Sequence, residues 1–216
     1  PSVAGWSPIQ PRTAVRTRLV RSIVAVGGNR PRLALGHVTP MSLSRQDINA
    51  SSSDEHLFRQ LSSELQRRLP PHLHDDYELL VPAICGLPRG LRAMASTHRL
   101  DVSMALDDLG WHFYNVHHRA FCDETQWGLR ELEAVEAAEI FESARALVEP
   151  HWDEVGSLRA IGLKAFTDWY SDSSLERALA PLNGRLWGIC GQSSYGLMQN
   201  WLTYARRYPE RIAEDK

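Results

Sequence analysis

The sequence predicts an all-α fold, a compact bundle of six to eight helices over residues 54–213 behind a disordered, basic N-terminal extension. Three observations predict it. Apolar residues recur at steps of three and four through most of the chain after residue 54, the period of one helix face. Ser clusters, Pro and Gly fall between these runs, where helix caps and stops belong. Only Tyr77 to Val81, running up to Pro82, reads as a short strand, and a helical turn fits it equally well.

Residues 1–53 are expected to be an extended or disordered segment and linker. Residues 1–40 carry six arginines (Arg12, Arg16, Arg18, Arg21, Arg30, Arg32) and no acid, with strand-like alternation only from Leu19 to Val26. Three readings stay open: a transit peptide, a basic arm for nucleic acid or anionic lipid, or an upstream extension that never folds, with Met41 near the true start.

The helices follow in order. Ser51 to Asp54 caps a helix over 54–69, where Leu57, Leu61 and Leu65 repeat every four residues and Pro70-Pro71 ends the run. Leu87 to Gly90 is a turn. Val102, Leu106, Leu109 and Phe113 share one face of the next helix. Asn115 to Phe121 reads as a connection, and Asp123 with Gln126 as an N-cap and capping box. On the wheel of the following helix, Ala137, Phe141, Ala144, Leu147 and Val148 form one arc, and Glu136, Glu139, Glu142 and Glu149 the other. Pro150 and Gly156 mark a break, and Leu158 to Trp169 suggests one more helix. Ser171 to Ser174 caps a run from Leu175 to Ile189, in which Pro181 predicts a kink or break. Tyr195 to Tyr208 closes the bundle, with Arg206 and Arg207 at its C-terminal dipole end.

Hydrophobic residues make up 43% and charged residues 23% of the 216, ordinary for a globular protein. No apolar run approaches the roughly 18–20 residues that cross a bilayer. Cys85, Cys122 and Cys190 form no Cys-x-x-Cys pair, which argues against a zinc ribbon or disulfide framework and for a reducing cytoplasm. The net charge of −2 conceals an uneven layout: residues 101–154 hold thirteen acids against three arginines, 3 − 13 = −10. From Met41 onward the balance is 18 − 26 = −8.

That acidic stretch supplies the candidate partner-binding residues: Asp107, Asp108, Asp123, Glu124, Glu131, Glu133, Glu136, Glu139 and Glu142. Duplex DNA presents one charge per about 1.7 Å of axis, whereas carboxylates three residues apart on a helix advance about 4.5 Å. Imitating DNA therefore requires two or more acidic helices, or a homodimer. The plainer alternative is a solvated helix face. Gly110, Trp111, Phe113, Tyr114 and Asn115, with His112 among them, form the densest aromatic cluster. It reads either as core filling closed by a cap, or as a pocket with Asn115 as polar anchor.

A rival reading is a metal- or small-ligand-binding helical enzyme built on His112, His117 and His118 beside Asp107 or Asp108. The spacing opposes it: no His-x-x-x-His or Glu-x-x-His pair offers two ligands on one helix face. No nucleophile elbow, phosphate loop or dinucleotide fingerprint occurs either. Neither a catalytic residue, a metal nor a cofactor is expected. A third reading is a structural or immunity-type interaction domain that uses Trp187 and Trp201, since aromatic residues are enriched at interfaces.

Gly110-Trp-His-Phe-Tyr-Asn115 after an acid-bearing helix, the Ala- and Glu-rich run Leu129 to Ala144, Leu182-Asn-Gly-Arg-Leu-Trp187, and Trp201-Leu-Thr-Tyr-Ala-Arg-Arg-Tyr-Pro-Glu210 together resemble the bacterial DNA-mimic protein family. These are small helical proteins, one of which imitates duplex DNA toward a transcription factor. The resemblance covers about 87–213. It departs from the family's usual turn, where Asn-Gly-Gly precedes the aromatic group and this chain has Asp108-Leu109-Gly110. It implies a non-enzymatic protein that offers an acidic helical surface to a basic protein such as a transcription factor, without touching nucleic acid or membrane itself.

Overall fold

The structure is a computed structural model that describes residues 42–213. The expectations about a disordered basic arm, the alternation at Leu19–Val26 and a start at Met41 lie outside those residues. Among the described residues there are eleven α-helices and no strand.

Helix α1 (Arg45–Ala50) stands inside the segment expected to be linker. Its capping box explains it: the Ser44 hydroxyl accepts from the Asp47 N–H at 3.2 Å, and Asp47 accepts from the Ser44 N–H at 2.9 Å. Helix α2 (Asp54–Arg68) is capped by Ser53 and buries Leu57, Phe58 and Leu61. Glu64 is also buried, and Arg67 and Arg68 from the last turn bind its carboxylate at 2.6–2.9 Å. The ambiguous segment is helix α3 (Tyr77–Cys85), whose first N–H groups are accepted by Asp76.

Helix α4 (Arg89–Leu106) is buried along most of its length, through Leu91, Met94, Leu100 and Met104. Its buried polar groups are satisfied. Thr97 donates to the Ala93 carbonyl and accepts from the Trp201 indole at 3.1 Å, and Asp101 accepts from the Leu197 N–H at 2.6 Å. The apolar face read through Leu106 into Phe113 is broken at Asp107–Asp108. Leu106 consequently points outward, 69% exposed, while Leu109 and Phe113 of α5 (Leu109–Asn115) are buried.

Helix α6 spans Arg119–Glu131 and starts earlier than expected. His118 is its cap, accepting from the Phe121 N–H, so Asp123 lies inside the helix and caps nothing. Helix α7 (Val135–Val148) packs back on α6 and buries Ala137, Phe141, Ala144 and Val148 as the wheel required. Leu147 is the exception, at the edge of that arc and 36% exposed.

The predicted break occurs at Pro150, in the short turn Glu149–His151 after α7, but not at Gly156, which lies inside helix α8 (Trp152–Ile161) with His117 packed against it. The chain divides instead at Gly162, whose φ of +128° suits a residue without a β-carbon. Helix α9 (Leu163–Tyr170) then begins. Helix α10 (Ser174–Cys190) is capped by Ser173 and runs through Pro181 without ending. Helix α11 (Gln199–Arg207) buries Trp201, Leu202, Tyr204 and Ala205. The extra breaks, together with α1 and α3, make the helices shorter and more numerous than six to eight. None among the described residues is long and apolar enough to cross a membrane.

Candidate acidic interface

The nine nominated carboxylates separate into three environments. Asp108 caps α5, accepting from the Trp111 N–H at 3.0 Å and from the Tyr170 hydroxyl at 3.2 Å. Burial raises its carboxyl above the usual range against the pull of the Trp111 bond. Tyr170 lies close because Gly110 leaves room: a β-carbon there would stand 2.2 Å from the Tyr170 ring. Asp107 has no ion pair among the described residues, and partial burial plus the charge of Asp108 push its carboxyl up to about 6.

Glu124 and Glu131 are structural. Arg92 binds Glu124 through two bonds of 2.7 Å. Glu131, whose side chain is only 7% exposed, receives Arg89 at 2.6 Å, Arg211 at 3.1 Å and the Tyr204 hydroxyl. Burial works against its charge, but these donors prevail and hold its carboxyl below the usual range.

Asp123, Glu133, Glu136, Glu139 and Glu142 line the exposed side of the α6–α7 hairpin. Four of them meet an arginine: Asp123 with Arg145 at 2.5 Å, Glu133 with Arg207 at 2.7 Å, Glu136 with Arg185 at 3.3 Å and Glu142 with Arg130 at 2.7 Å. Glu139 has no ion pair among the described residues. The local charge of −10 is therefore much reduced in space, because Arg89, Arg92, Arg185, Arg207 and Arg211 reach in from outside the acidic stretch. No window of sequence charge detects that.

The aromatic group is core. Phe113 is 1% and Tyr114 8% exposed, Tyr114 stacks on Phe166 at 4.4 Å, and Trp111 meets Phe166 edge-on at 4.8 Å. Asn115 is exposed and ends α5 rather than anchoring a pocket.

The histidines of the rival reading are dispersed. His112 is fully buried, bonded to Ser103 at 2.9 Å, and burial drives its pKa down to about 3. His117 stacks on Trp152 at 4.2 Å, and His118 caps α6. Among the described residues no three His, Cys, Asp or Glu side chains converge to hold a metal. Cys122 is buried, which pushes its thiol up to about 12, away from a reactive thiolate.

With this geometry the comparison with known families is informative. Residues 85–207, more than half of the chain, match the family model described as DMP19-like protein. The chain belongs to the DMP19-like, DNA-mimic family. The matched span begins at the end of α3 and closes with α11, so it takes in every nominated carboxylate and the aromatic cluster. No curated protein and no solved structure matches the chain.

Within that span, sequence reasoning nominated Trp187 for an interface but missed how it is held. Trp187 is 44% exposed, and its indole N–H donates to the Asp107 carbonyl at 3.1 Å. Trp201, paired with it in the interaction-domain reading, is core at 2%. The regular Leu spacing of α10 located the buried side of that helix but could not reveal that Trp187 lies beyond its edge.

Proposed function

We propose that this protein works by binding rather than catalysis, offering the exposed carboxylates of the α6–α7 hairpin to a basic, DNA-binding protein. The observation that carries the reading is the placement of Glu136, Glu139 and Glu142 on the outward side of α7, inside the span matched by the DMP19-like family. At positions three apart they advance about 4.5 Å per step. Their arginine neighbours do not prevent the role. Arg130–Glu142 and Arg185–Glu136 are more than half exposed on both sides. Pairs of that kind contribute about 0–1 kcal/mol, so an incoming guanidinium displaces the resident one at small cost. Asp123 and Glu133 extend the same rim, whereas Glu124, Glu131 and Asp108 hold the bundle together beneath it. The described residues carry 17 basic side chains against 24 acids, 17 − 24 = −7, enough to favour cationic partners.

The test is capture of DNA-binding proteins from the source cells on immobilised chain, followed by a mobility-shift assay in which the chain strips DNA from each captured protein. A Glu136→Lys/Glu139→Lys/Glu142→Lys variant loses both effects if the reading holds. Equal capture and equal DNA release by that variant would refute it.

A further inference from the structure

The outward stripe of α7 is not a bare row of acids. Glu139, at its centre, has no ion pair among the described residues, while Glu136 and Glu142 before and after it each hold one arginine. The two arginines come from different helices: Arg130 from α6, 12 residues from Glu142 in sequence, and Arg185 from α10, 49 residues from Glu136. The stripe thus has an open middle and two covered ends.

The arginines around the hairpin differ in how firmly they are held. Arg145, which meets Asp123, has a side chain only 26% exposed. Arg207, which meets Glu133, also lies over the Tyr208 ring, 5.1 Å from its centre. Arg119, which meets Glu149, lies over the Trp152 ring at 4.7 Å. A guanidinium on a ring face keeps that attraction whatever happens to its carboxylate. Arg130 and Arg185 have no second hold among the described residues. Each makes one hydrogen bond, of 2.7 and 3.3 Å, and neither lies over a ring. The two arginines most easily released are therefore the two that cover the α7 stripe.

We infer that Arg130 and Arg185 are specificity-determining residues of this stripe, acting as resident competitors for Glu142 and Glu136. This rests on the reading that the α7 carboxylates bind a basic protein. A lone cation settles on Glu139 and displaces nothing. A row of cations that follows the stripe must also release both arginines, and it exchanges each contact for one of the same kind. The second and third contacts then contribute little, so an arginine-rich tail that offers nothing else binds weakly. A true partner must add contacts elsewhere, which is discrimination by weakening the wrong complex.

The probes are two fluorescent 18-residue alanine-based helical peptides, one with three arginines at steps of three and one with a single arginine, read by anisotropy. Arg130→Gln/Arg185→Gln should bind the three-arginine peptide at least about fivefold tighter and the single-arginine peptide within about twofold of the unaltered chain. Arg59→Gln/Arg159→Gln removes the same charge from α2 and α8, where Arg59 meets Glu55 and Arg159 has no ion pair among the described residues. That control should change the affinity for the three-arginine peptide less than about twofold, because charges distant from the stripe are screened. Unchanged affinity in the Arg130/Arg185 variant overturns the inference, as does an equal gain in the control or an equal gain for both peptides. If the α7 triple reversal still abolishes peptide binding in any of those cases, the proposed function stands without the competitors. If the triple reversal leaves peptide binding intact, the stripe is not the site and both fall.

Discussion

Arg92 on α4 holds Glu124 on α6 through two parallel hydrogen bonds of 2.7 Å, with its guanidinium 4.2 Å from the centre of the Trp127 ring. Both ends of the pair are largely shielded, at 30% and 13% exposure. Removing one partner therefore leaves a poorly solvated charge behind, and Glu124→Ala should lower stability by about 1–3 kcal/mol. Arg92→Ala should cost a similar amount, and the double variant less than their sum. Urea denaturation of the four proteins checks this, and strict additivity would show that the pair is not coupled.

The solvated rim should behave oppositely. Glu139→Gln removes a carboxylate with no ion pair among the described residues, and Glu136→Gln breaks only the exposed contact with Arg185. Each should shift stability by about 0.5 kcal/mol or less. Thermal melts of the single variants distinguish this group from Glu124.

Gly110 is confined by the Tyr170 ring, which a β-carbon would approach to 2.2 Å. Gly110→Ala must push Tyr170 away and weaken its bond to Asp108 at the start of α5. A loss of about 1–3 kcal/mol is expected, the usual cost of overpacking a filled site. Unfolding midpoints measure it, and no loss would mean that the α5–α9 contact yields freely.

His112 is neutral in the fold down to a pH of about 3, whereas an ordinary histidine takes up its proton near 6.5. The unfolded chain thus binds a proton that the folded chain refuses throughout that interval. The stabilisation is complete above pH 6.5 and is lost as pH falls toward 3, at about 1.4 kcal/mol per pH unit for the one proton. His112→Phe should flatten the stability-versus-pH profile there. An NMR titration in which the His112 ring resonances move near pH 6 would contradict the prediction.

Asp107 has the reverse sign. Its carboxyl titrates at about 6 in the fold against an ordinary value near 4, so the folded chain retains a proton that the unfolded chain has released. The favourable contribution exists at low pH and disappears as pH rises through 6. Asp107→Asn should raise the melting temperature more at pH 7.5 than at pH 4.5, and only slightly, since one side of Asp107 is open to water.

What could be read in the sequence was whatever depends on local period. The α2 boundaries follow from the serine cap and the Pro70-Pro71 stop, and the buried series Ala137, Phe141, Ala144 and Val148 from 3.6-residue spacing. Ile161 and Leu163 show the limit of that reasoning. Their spacing resembles core, but Gly162 turns the chain between them and leaves them 75% and 61% exposed. Helix α6 hides its start because a histidine is its cap, a weaker signal than the Asp and Gln that follow. The acidic residues were visible, but their partners were not. Glu133 meets Arg207 and Glu136 meets Arg185 across 74 and 49 residues of sequence, and only folding brings them together.

That distance has a consequence for any excised piece. A peptide cut from residues 101–154 would keep its thirteen acids and forfeit Arg89, Arg92, Arg185, Arg207 and Arg211, so it would be a stronger polyanion than the whole molecule. Maturation of the bundle discharges its own middle, and how negative the protein looks to its surroundings is decided by tertiary structure.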